Sequence, residues 1–474
     1  MLSRFLRKIV MKKIVTYSAL FVTFNCFAED IEFYSEEQKQ YTKTTDDNNS
    51  VFSRLKHMFS KDGEDELNEN KIVEVSNSST QIENNNLKEQ LSEIQNTQSK
   101  ETQKTDNEFN RVAYRIAGLD NDTSDEYQKY SAPITQKWQT LCDSSLMKVR
   151  PWAKQNIDEY LQQVKRVLYV FGGPDIAYPC QFFPYANEYI LVGLEPLGNF
   201  EKIKRLVDNN KLNVFSIAAN SYLTKGYFIT SEMGVQLSKT HNGSNGGLGI
   251  ILLQLARMNY DIISIESLGI NENGELINND NNVLSVIKID FKKDHQSDEM
   301  STVYYIRMDL SNSNVSRLKM LTNFAKQQHF VTFVKSASYA LQDRNFTTLK
   351  NFILNNTEAL LQDDTGIAFR ILKQWNLQIF GQYTGATLPI FKNYTQYDMI
   401  EYFKNHQAIG INFKIGYGFN QNRPALMLAI PPENRKIIFE KHIKTNTKKI
   451  SIKTQEVKKH NVNNLNILKM IKIK

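Results

Sequence analysis

Two short apolar runs near the middle of the chain predict the centre of a buried sheet. Val167–Phe171 and Tyr189–Val192 are continuous in apolar residues and too short for helices. Each run ends in a turn with glycine, proline and a carboxylate: Asp175 follows the first run in GGPD, and Glu195 follows the second in GLEP. Because ligands of open α/β sheets bind outside the carboxyl ends of the strands, both acids are candidates for a site.

Helical and strand-like patterns then alternate as far as Pro431 and Pro432. EKIKRLVDNN predicts an amphipathic helix, NVLSVIKIDF and TVYYIRMDLS predict strands, and HFVTFV predicts a strand that ends in KSASY. TTLKNFILNNTEALLQ predicts a helix before the turn QDDTGI, and GINFKIGYGFN with PALMLAI predicts the last sheet elements. This order predicts an α/β or α+β fold: one domain over residues 131–432, with a single mixed sheet flanked by helices.

The segments on either side of this domain differ from it in composition. Residues 29–130 are rich in Asn, Gln, Ser, Lys and Glu and poor in apolar residues, which predicts a disordered acidic linker. Residues 433–474 carry about twelve Lys or Arg against three Glu, which predicts a basic tail. The tail is interpreted as a solvated extension, with anionic lipid headgroups as the alternative partner and no nucleic acid expected.

The N-terminus has the layout of a secretory signal peptide. Basic MLSRFLRKIVMKK precedes the apolar run IVTYSALFVTFNCFA, and Ala28 stands just before the acidic Glu29 and Asp30. Residues 1–28 are therefore predicted to be cleaved, which places the protein in the periplasm or outside the cell. The alternative is a single N-terminal anchor helix, for which the apolar stretch is short. No later run is long enough to predict a transmembrane span.

Cleavage would leave two cysteines, Cys142 and Cys180. In an oxidising compartment they are a candidate disulfide, and the alternative is two buried thiols that do not meet. The chain has no HExxH, no CxxC and no cluster of Cys and His, so no metal and no cofactor are predicted.

The strongest candidates for chemistry are four acids in turns: Asp175, Glu195, Asp363 and Asp364. If they converge, two of them could divide the roles of acid and base, because burial or a neighbouring charge separates their pKa values. Lys335 and the hydroxyl of Ser338 in KSASY could face the same cavity. The alternative for each acid is structural, as a helix cap, a turn residue or the partner of an arginine such as Arg307.

A nucleotide site is the competing hypothesis for the same turns. GGPD, with an acid in GLEP about 20 residues later, superficially matches the first turn of a dinucleotide-binding fold. Pro174 follows the glycines directly, however, and lacks the N–H group that a phosphate would need. The sequence therefore argues against nucleotide binding.

Several motifs together resemble an uncharacterised family of exported bacterial proteins with no assigned activity. They are FGGPDxxYP, FFPxAxxYILVGLEPLG, DLSN, FVKSASY, LQDDTGI, WNLQIFGQY and IGYGF, and they span Gln136 to Ile430. The resemblance implies one exported domain and supplies no catalytic roles. Its motifs fall here on Asp175, Tyr178, Glu195, Lys335, Ser336, Ser338, Tyr339, Asp363, Asp364, Gly366 and Tyr383.

These observations lead to one functional hypothesis and one rival. The protein is expected to be exported and to bind or hydrolyse a cell-envelope component, such as a glycan or a lipid headgroup, in an acid-lined cleft. The catalytic candidates are the four turn acids, and the substrate-binding candidates are Tyr178, Lys335, Ser338 and Tyr383. The rival is a non-catalytic binding or assembly protein in which the acids only hold turns together.

Overall fold

A computed structural model describes residues 107–157, 159–228, 246–280, 282–295, 297–421 and 424–432. The predicted signal peptide, most of the predicted linker and the basic tail beyond Pro432 lie outside these residues.

The described residues form a ten-stranded mixed sheet. In chain order its strands are β1 (Arg166–Val170), β2 (Glu188–Gly193), β3 (Asp261–Ile270), β4 (Leu276–Asn278), β5 (Leu284–Lys292), β6 (Met300–Arg307), β7 (Phe330–Val334), β8 (Leu360–Gln362), β9 (Asn376–Gly381) and β10 (Ala425–Ile430). Across the sheet the order is β4-β3-β5-β6-β2-β1-β7-β8-β10-β9.

The centre of the sheet is parallel and doubly wound. Strands β6, β2, β1, β7 and β8 pair in parallel, and β3, β4 and β5 on one side and β10 and β9 on the other pair antiparallel. Numbered by their place in the chain, the five parallel strands have the order 3-2-1-4-5. In that order the winding reverses between β1 and β7, and ligands of such folds bind outside the carboxyl ends of the strands at this reversal.

Helices cover both faces of the sheet. Before β1 lie α1 (Glu108–Ile116), α2 (Asp125–Leu141), a π-helical turn (Cys142–Leu146), α3 (Met147–Asn156) and α4 (Glu159–Gln162). The later ones are α5 (Ala177–Phe182), α6 (Phe200–Asp208), α7 (Asn213–Lys225), α8 (Gly246–Arg257), α9 (Val315–Ala325), α10 (Thr347–Asn356), α11 (Phe369–Leu372) and α12 (Tyr397–Asn405). No helix in these parts of the chain has the length and apolar character needed to cross a membrane.

Two cores, one on each face, explain why the central strands are almost continuously apolar. In β1, Val167 and Tyr169 point into one core, while Leu168 and Val170 point into the other. All five residues of β1 and all five of β7 are buried. A strand covered on both faces gains burial energy from every side chain, and this produces a continuous apolar run. The predicted α/β class, with one mixed sheet flanked by helices, is confirmed.

The folded body begins earlier than the predicted boundary at residue 131. Helix α1 lies inside the predicted linker, where the side chain of Asn107 accepts a hydrogen bond from the backbone of Asn110 and caps the helix. Val112 and Ile116 are fully buried. Their spacing places both on one face of the helix. The sequence around this short apolar stripe is mostly polar, so the composition of the segment does not indicate a helix.

The segment GINFKIGYGFN is not the strand that the sequence predicts. Only Ile409, just before it, makes a bridge to the sheet, with Phe380. Lys414 instead receives a hydrogen bond at its carbonyl oxygen from Ser145 and donates its N–H to Ser144. Gly416 has φ +61° and begins a 3-10 helix, Gly416–Gln421, so the backbone turns away from an extended path.

Candidate functional site

A buried ion pair joins the ends of β1 and β7 at the reversal of the sheet. Asp175 lies in the turn after β1, Lys335 follows β7 directly, and their charged atoms are 2.8 Å apart with both side chains at most 1% exposed. Burial lowers the pKa of Lys335, and the charge of Asp175 opposes that shift. The pair therefore ties two neighbouring strand ends together inside the protein.

Every polar atom of this pair has a partner. Asp175 accepts hydrogen bonds from the hydroxyl groups of Tyr169, at 3.0 Å, and Tyr222, at 2.6 Å. The Lys335 ammonium group donates to the carbonyl oxygen of Gly226 at 2.5 Å and lies 3.9 Å from the centre of the Tyr178 ring. A buried charge pair is tolerated when its remaining hydrogen-bonding capacity is used in this way, so the arrangement is that of a structural tie.

Asp363 forms a similar structural tie at the end of β8. One carboxylate oxygen accepts the backbone N–H of Ser336 at 2.8 Å, and the other accepts the N–H of Thr365 at 3.0 Å and its hydroxyl at 2.5 Å. Burial raises the pKa of Asp363, although these hydrogen bonds oppose the shift. Asp363 thereby fixes the KSASY turn against the QDDTGI turn.

Asp364 differs from these acids because it borders a cleft. Its carboxylate accepts a hydrogen bond from the hydroxyl of Tyr339. Burial and the charge of Asp363 raise the pKa of Asp364 to about 7. The cleft has a volume of about 140 Å³ and is lined by Asp364, Gln382, Tyr383, Thr384, Gly385, Ala386, Thr387 and Ala425. Asp364, whose pKa is raised to about 7, is thus one of the residues that line a polar cleft.

The KSASY turn is strained. Ser336, Ser338 and Tyr339 have φ values of +54°, +51° and +60°, which side chains with a Cβ atom rarely adopt. Tyr417 holds the turn, since its hydroxyl donates to the carbonyl of Ser336 at 2.9 Å and lies 2.8 Å from the Ser338 hydroxyl. The buried Ser336 hydroxyl has no hydrogen-bond partner within the described part of the chain. Strain of this kind clusters at functional sites.

Glu195 lies on the other side of β1, apart from the cleft. A Cβ atom added to Gly173 or Gly193 would approach a Glu195 carboxylate oxygen to 2.8 Å or 2.5 Å, so the carboxylate lies directly against the GGPD turn. Glu195 is 1% exposed, and its carbonyl accepts the Tyr305 hydroxyl at 3.0 Å. Glycine is needed at both positions because the carboxylate occupies the space of a side chain.

Among the residues that the structure describes, only Asp364 of the four predicted acids lines the cleft, so the predicted cleft lined by all four acids does not form. Glu195 lies against the GGPD turn, and the other predicted residues fall into two groups at the ends of the strands. Asp175, Lys335 and Tyr178 form the buried tie, and Tyr383 lines the cleft beside Asp364. The Tyr178 hydroxyl is buried against Ser145 at 2.9 Å. Asp363 links the two groups through Ser336, whose chain neighbour Lys335 belongs to the tie. Ser338 is exposed on the strained turn.

Cys142 and Cys180 are free thiols and do not form the candidate disulfide; Cys180 is buried and Cys142 is half-buried. Burial raises the pKa of Cys142 to about 12 and that of Cys180 to about 11, so both stay protonated at neutral pH. Among the residues that the structure describes, no three or more His, Cys, Asp or Glu side chains are grouped so as to hold a metal ion.

Four residues that shape the site were missed by the sequence analysis: Tyr169, Tyr222, Gln396 and Tyr417. Gln396 donates its side-chain amide to the carbonyl of Asp364 at 3.0 Å, and its backbone N–H donates to the Tyr383 hydroxyl at 3.1 Å. Tyr169 lies on β1, six residues before Asp175, whereas Tyr222 and Tyr417 reach Asp175 and Ser336 from distant parts of the chain. Only the position of Tyr417 inside the IGYGF motif could have drawn attention to it.

No protein-family model matches this chain, and no curated protein matches it. The geometry of the strand ends is therefore the basis for any assignment of function.

Proposed function

We propose that the protein is exported and hydrolyses a cell-envelope component in the cleft beside β8, with Asp364 as its general acid. The observation that carries this proposal is the Asp364 carboxyl group, whose pKa is raised to about 7 at the wall of a polar cleft. General acids work best when their pKa lies near the working pH. Export is supported by the basic, apolar and acidic order of residues 1–30.

The surrounding contacts suit this role for Asp364. In the protonated form it can give its proton to the leaving oxygen of a bond that water attacks, and the carboxylate then recovers a proton from that water. The Tyr339 hydroxyl binds one carboxylate oxygen and fixes its direction. Asp363 keeps its own oxygens engaged with Ser336 and Thr365, so its part is to raise the pKa of Asp364.

The test compares Asp364→Asn with the control Asp398→Asn, which alters a half-buried acid on α12 paired with Lys373 at 3.1 Å. Purified protein is incubated with cell-wall glycan fragments and with phospholipid vesicles, and released reducing ends or headgroups are measured. Loss of a general acid lowers turnover by at least about 100-fold. Activity that is equal in both variants contradicts the proposal. Binding without turnover, unchanged in Asp364→Asn, would establish the rival binding or assembly protein.

A second candidate function follows from the order of the strands. In doubly wound folds with the 3-2-1-4-5 strand order, an acid that follows the second parallel strand binds the ribose of a nucleotide. Glu195 has this position here. Pro174 offers no N–H to a phosphate, and the Glu195 carboxylate occupies the space beside Gly173 that a pyrophosphate would approach. These facts favour a nucleoside without phosphate groups over NAD.

Melting temperatures in the presence of adenosine, S-adenosylmethionine and NAD test this second candidate. Either of the first two should raise the melting temperature, NAD should not, and Glu195→Gln should abolish the rise. The matched control Glu188→Gln changes an acid at the opposite end of β2, where it pairs with Arg166. If neither nucleoside stabilises the wild-type protein, this candidate is rejected and the Asp364 proposal is unaffected.

A further inference from the structure

Aromatic rings extend from Tyr339, which binds the cleft residue Asp364, to the surface. The ring of Tyr339, which binds Asp364, stacks on Tyr394 with centroids 4.9 Å apart and an interplanar angle of 18°. Phe391 packs against Tyr339 at 5.1 Å. Tyr394 is 36% exposed, and Tyr397, three residues along the chain, is 76% exposed. We call Phe391, Tyr394 and Tyr397 the aromatic rim.

The rim is fixed to the cleft by hydrogen bonds. Gln396 lies between the two exposed tyrosines and donates to the carbonyl of Asp364 at 3.0 Å. Thr395 accepts the backbone N–H of Ala386, a lining residue, at 3.2 Å. The exposed aromatic surface is therefore held next to the cleft by the segment that links its two tyrosines.

The cleft itself offers uncharged hydrogen-bonding groups together with one acid. Gln382, Thr384 and Tyr383 supply amide and hydroxyl groups. No lysine or arginine is among the described residues that line it. Lys335, the lysine of the KSASY turn, is buried in its pair with Asp175. An anionic headgroup would meet no opposite charge in the cleft and would be repelled by ionised Asp364.

We propose that the cleft takes an uncharged sugar ring of a glycan, with Tyr394 as the surface on which the ring stacks. This inference rests on the proposed function and names its substrate class. A pyranose ring has C–H groups on its faces, which pack against an aromatic face, and hydroxyl groups around its edge, which hydrogen-bond to amides and hydroxyls. The rim and the cleft wall provide these two kinds of surface side by side.

Calorimetric titration of the full-length protein with chitohexaose, a soluble uncharged glycan, tests the inference. Tyr394→Ala should weaken binding about tenfold because the stacking face is lost, and Tyr394→Phe should bind like wild type. The matched control Tyr185→Ala removes a tyrosine that is 51% exposed. Tyr185 lies just before β2, at the amino end of that strand, and its loss should leave the Kd unchanged.

Phosphatidylglycerol vesicles and the Asp364→Asn variant separate the possible failures. Binding to vesicles but not to chitohexaose, with an effect of Asp364→Asn, overturns the glycan assignment and keeps the proposed function. Equal affinity of wild type and Tyr394→Ala for chitohexaose also overturns the role of the rim. If neither ligand binds in a way that depends on Asp364, the inference and the proposed function fail together.

Discussion

The ends of β1 and β8 both carry acids, but the surroundings of those acids differ: the acid at β1 is paired with a cation, whereas two acids are adjacent at β8. At β1, Asp175 faces a lysine and two tyrosine hydroxyls, so its negative charge is balanced inside the protein. At β8, Asp363 and Asp364 are adjacent like charges, and the pKa of both is raised by burial. The β1 end fixes its acid through an ion pair and two hydroxyl groups. At the β8 end an acid with a raised pKa lines a cleft, and such groups are candidates for functional sites.

The largest effect is expected where the balance at β1 is broken. Lys335→Ala would leave Asp175 charged and buried without its cation, which costs about 3–5 kcal/mol of the free energy of unfolding. Urea denaturation measures this loss. The control Lys373→Ala removes a half-exposed partner of Asp398 and should cost less than about 1 kcal/mol.

A double variant sharpens the same comparison. Asp175→Asn with Lys335→Met removes both charges and keeps an acceptor for the tyrosine hydroxyls, so part of the stability should return. A Lys335→Ala variant as stable as wild type would show that the pair is not a structural tie.

The next effect concerns the pH dependence of stability at β8. The unfolded chain releases the Asp364 proton near its ordinary pKa of 3.8, and the folded chain releases it near 7. Between these pH values the folded state binds more protons, so the free energy of unfolding falls as the pH rises through this window. The shift corresponds to at most about 4 kcal/mol by proton linkage.

Asp364→Asn should remove most of this slope. Urea denaturation between pH 4 and pH 8, compared with Asp398→Asn, measures the difference in slope. Near pH 8 the Asn variant should be the more stable protein, because the repulsion between Asp363 and Asp364 is gone. An identical pH dependence in both variants would mean that Asp364 keeps its ordinary pKa and that the two strand ends do not differ.

Parts of this arrangement were predictable from local sequence. The continuous apolar runs of β1 and β2 predict buried strands, and their turns place Asp175 and Glu195 at one edge because consecutive parallel strands run in the same direction. The same reasoning applies to HFVTFV and KSASY. These patterns depend on neighbours in the chain, which a single sequence displays.

The pairing of Asp175 with Lys335 was not predictable in the same way. It requires β7 to lie beside β1 on the side away from β2, which is decided by packing of the whole sheet. Tyr222 reaches Asp175 from α7, 47 residues away in sequence. The sequence also did not indicate the left-handed backbone of Ser336 and Tyr339, since neither residue type favours a positive φ.

The smallest effect separates strain from hydrogen bonding in the KSASY turn. Ser336→Gly relieves a left-handed backbone that costs about 1 kcal/mol, and it removes a buried hydroxyl that has no partner among the described residues. Glycine also makes the unfolded chain more flexible, which offsets part of this gain. The free energy of unfolding should therefore stay within about 1 kcal/mol of wild type.

Ser338→Gly is the matched control, because it relieves a similar φ but loses the contact of its hydroxyl with Tyr417. It should be the less stable of the two. If Ser336→Gly is the more damaging change, the Ser336 hydroxyl contributes to stability.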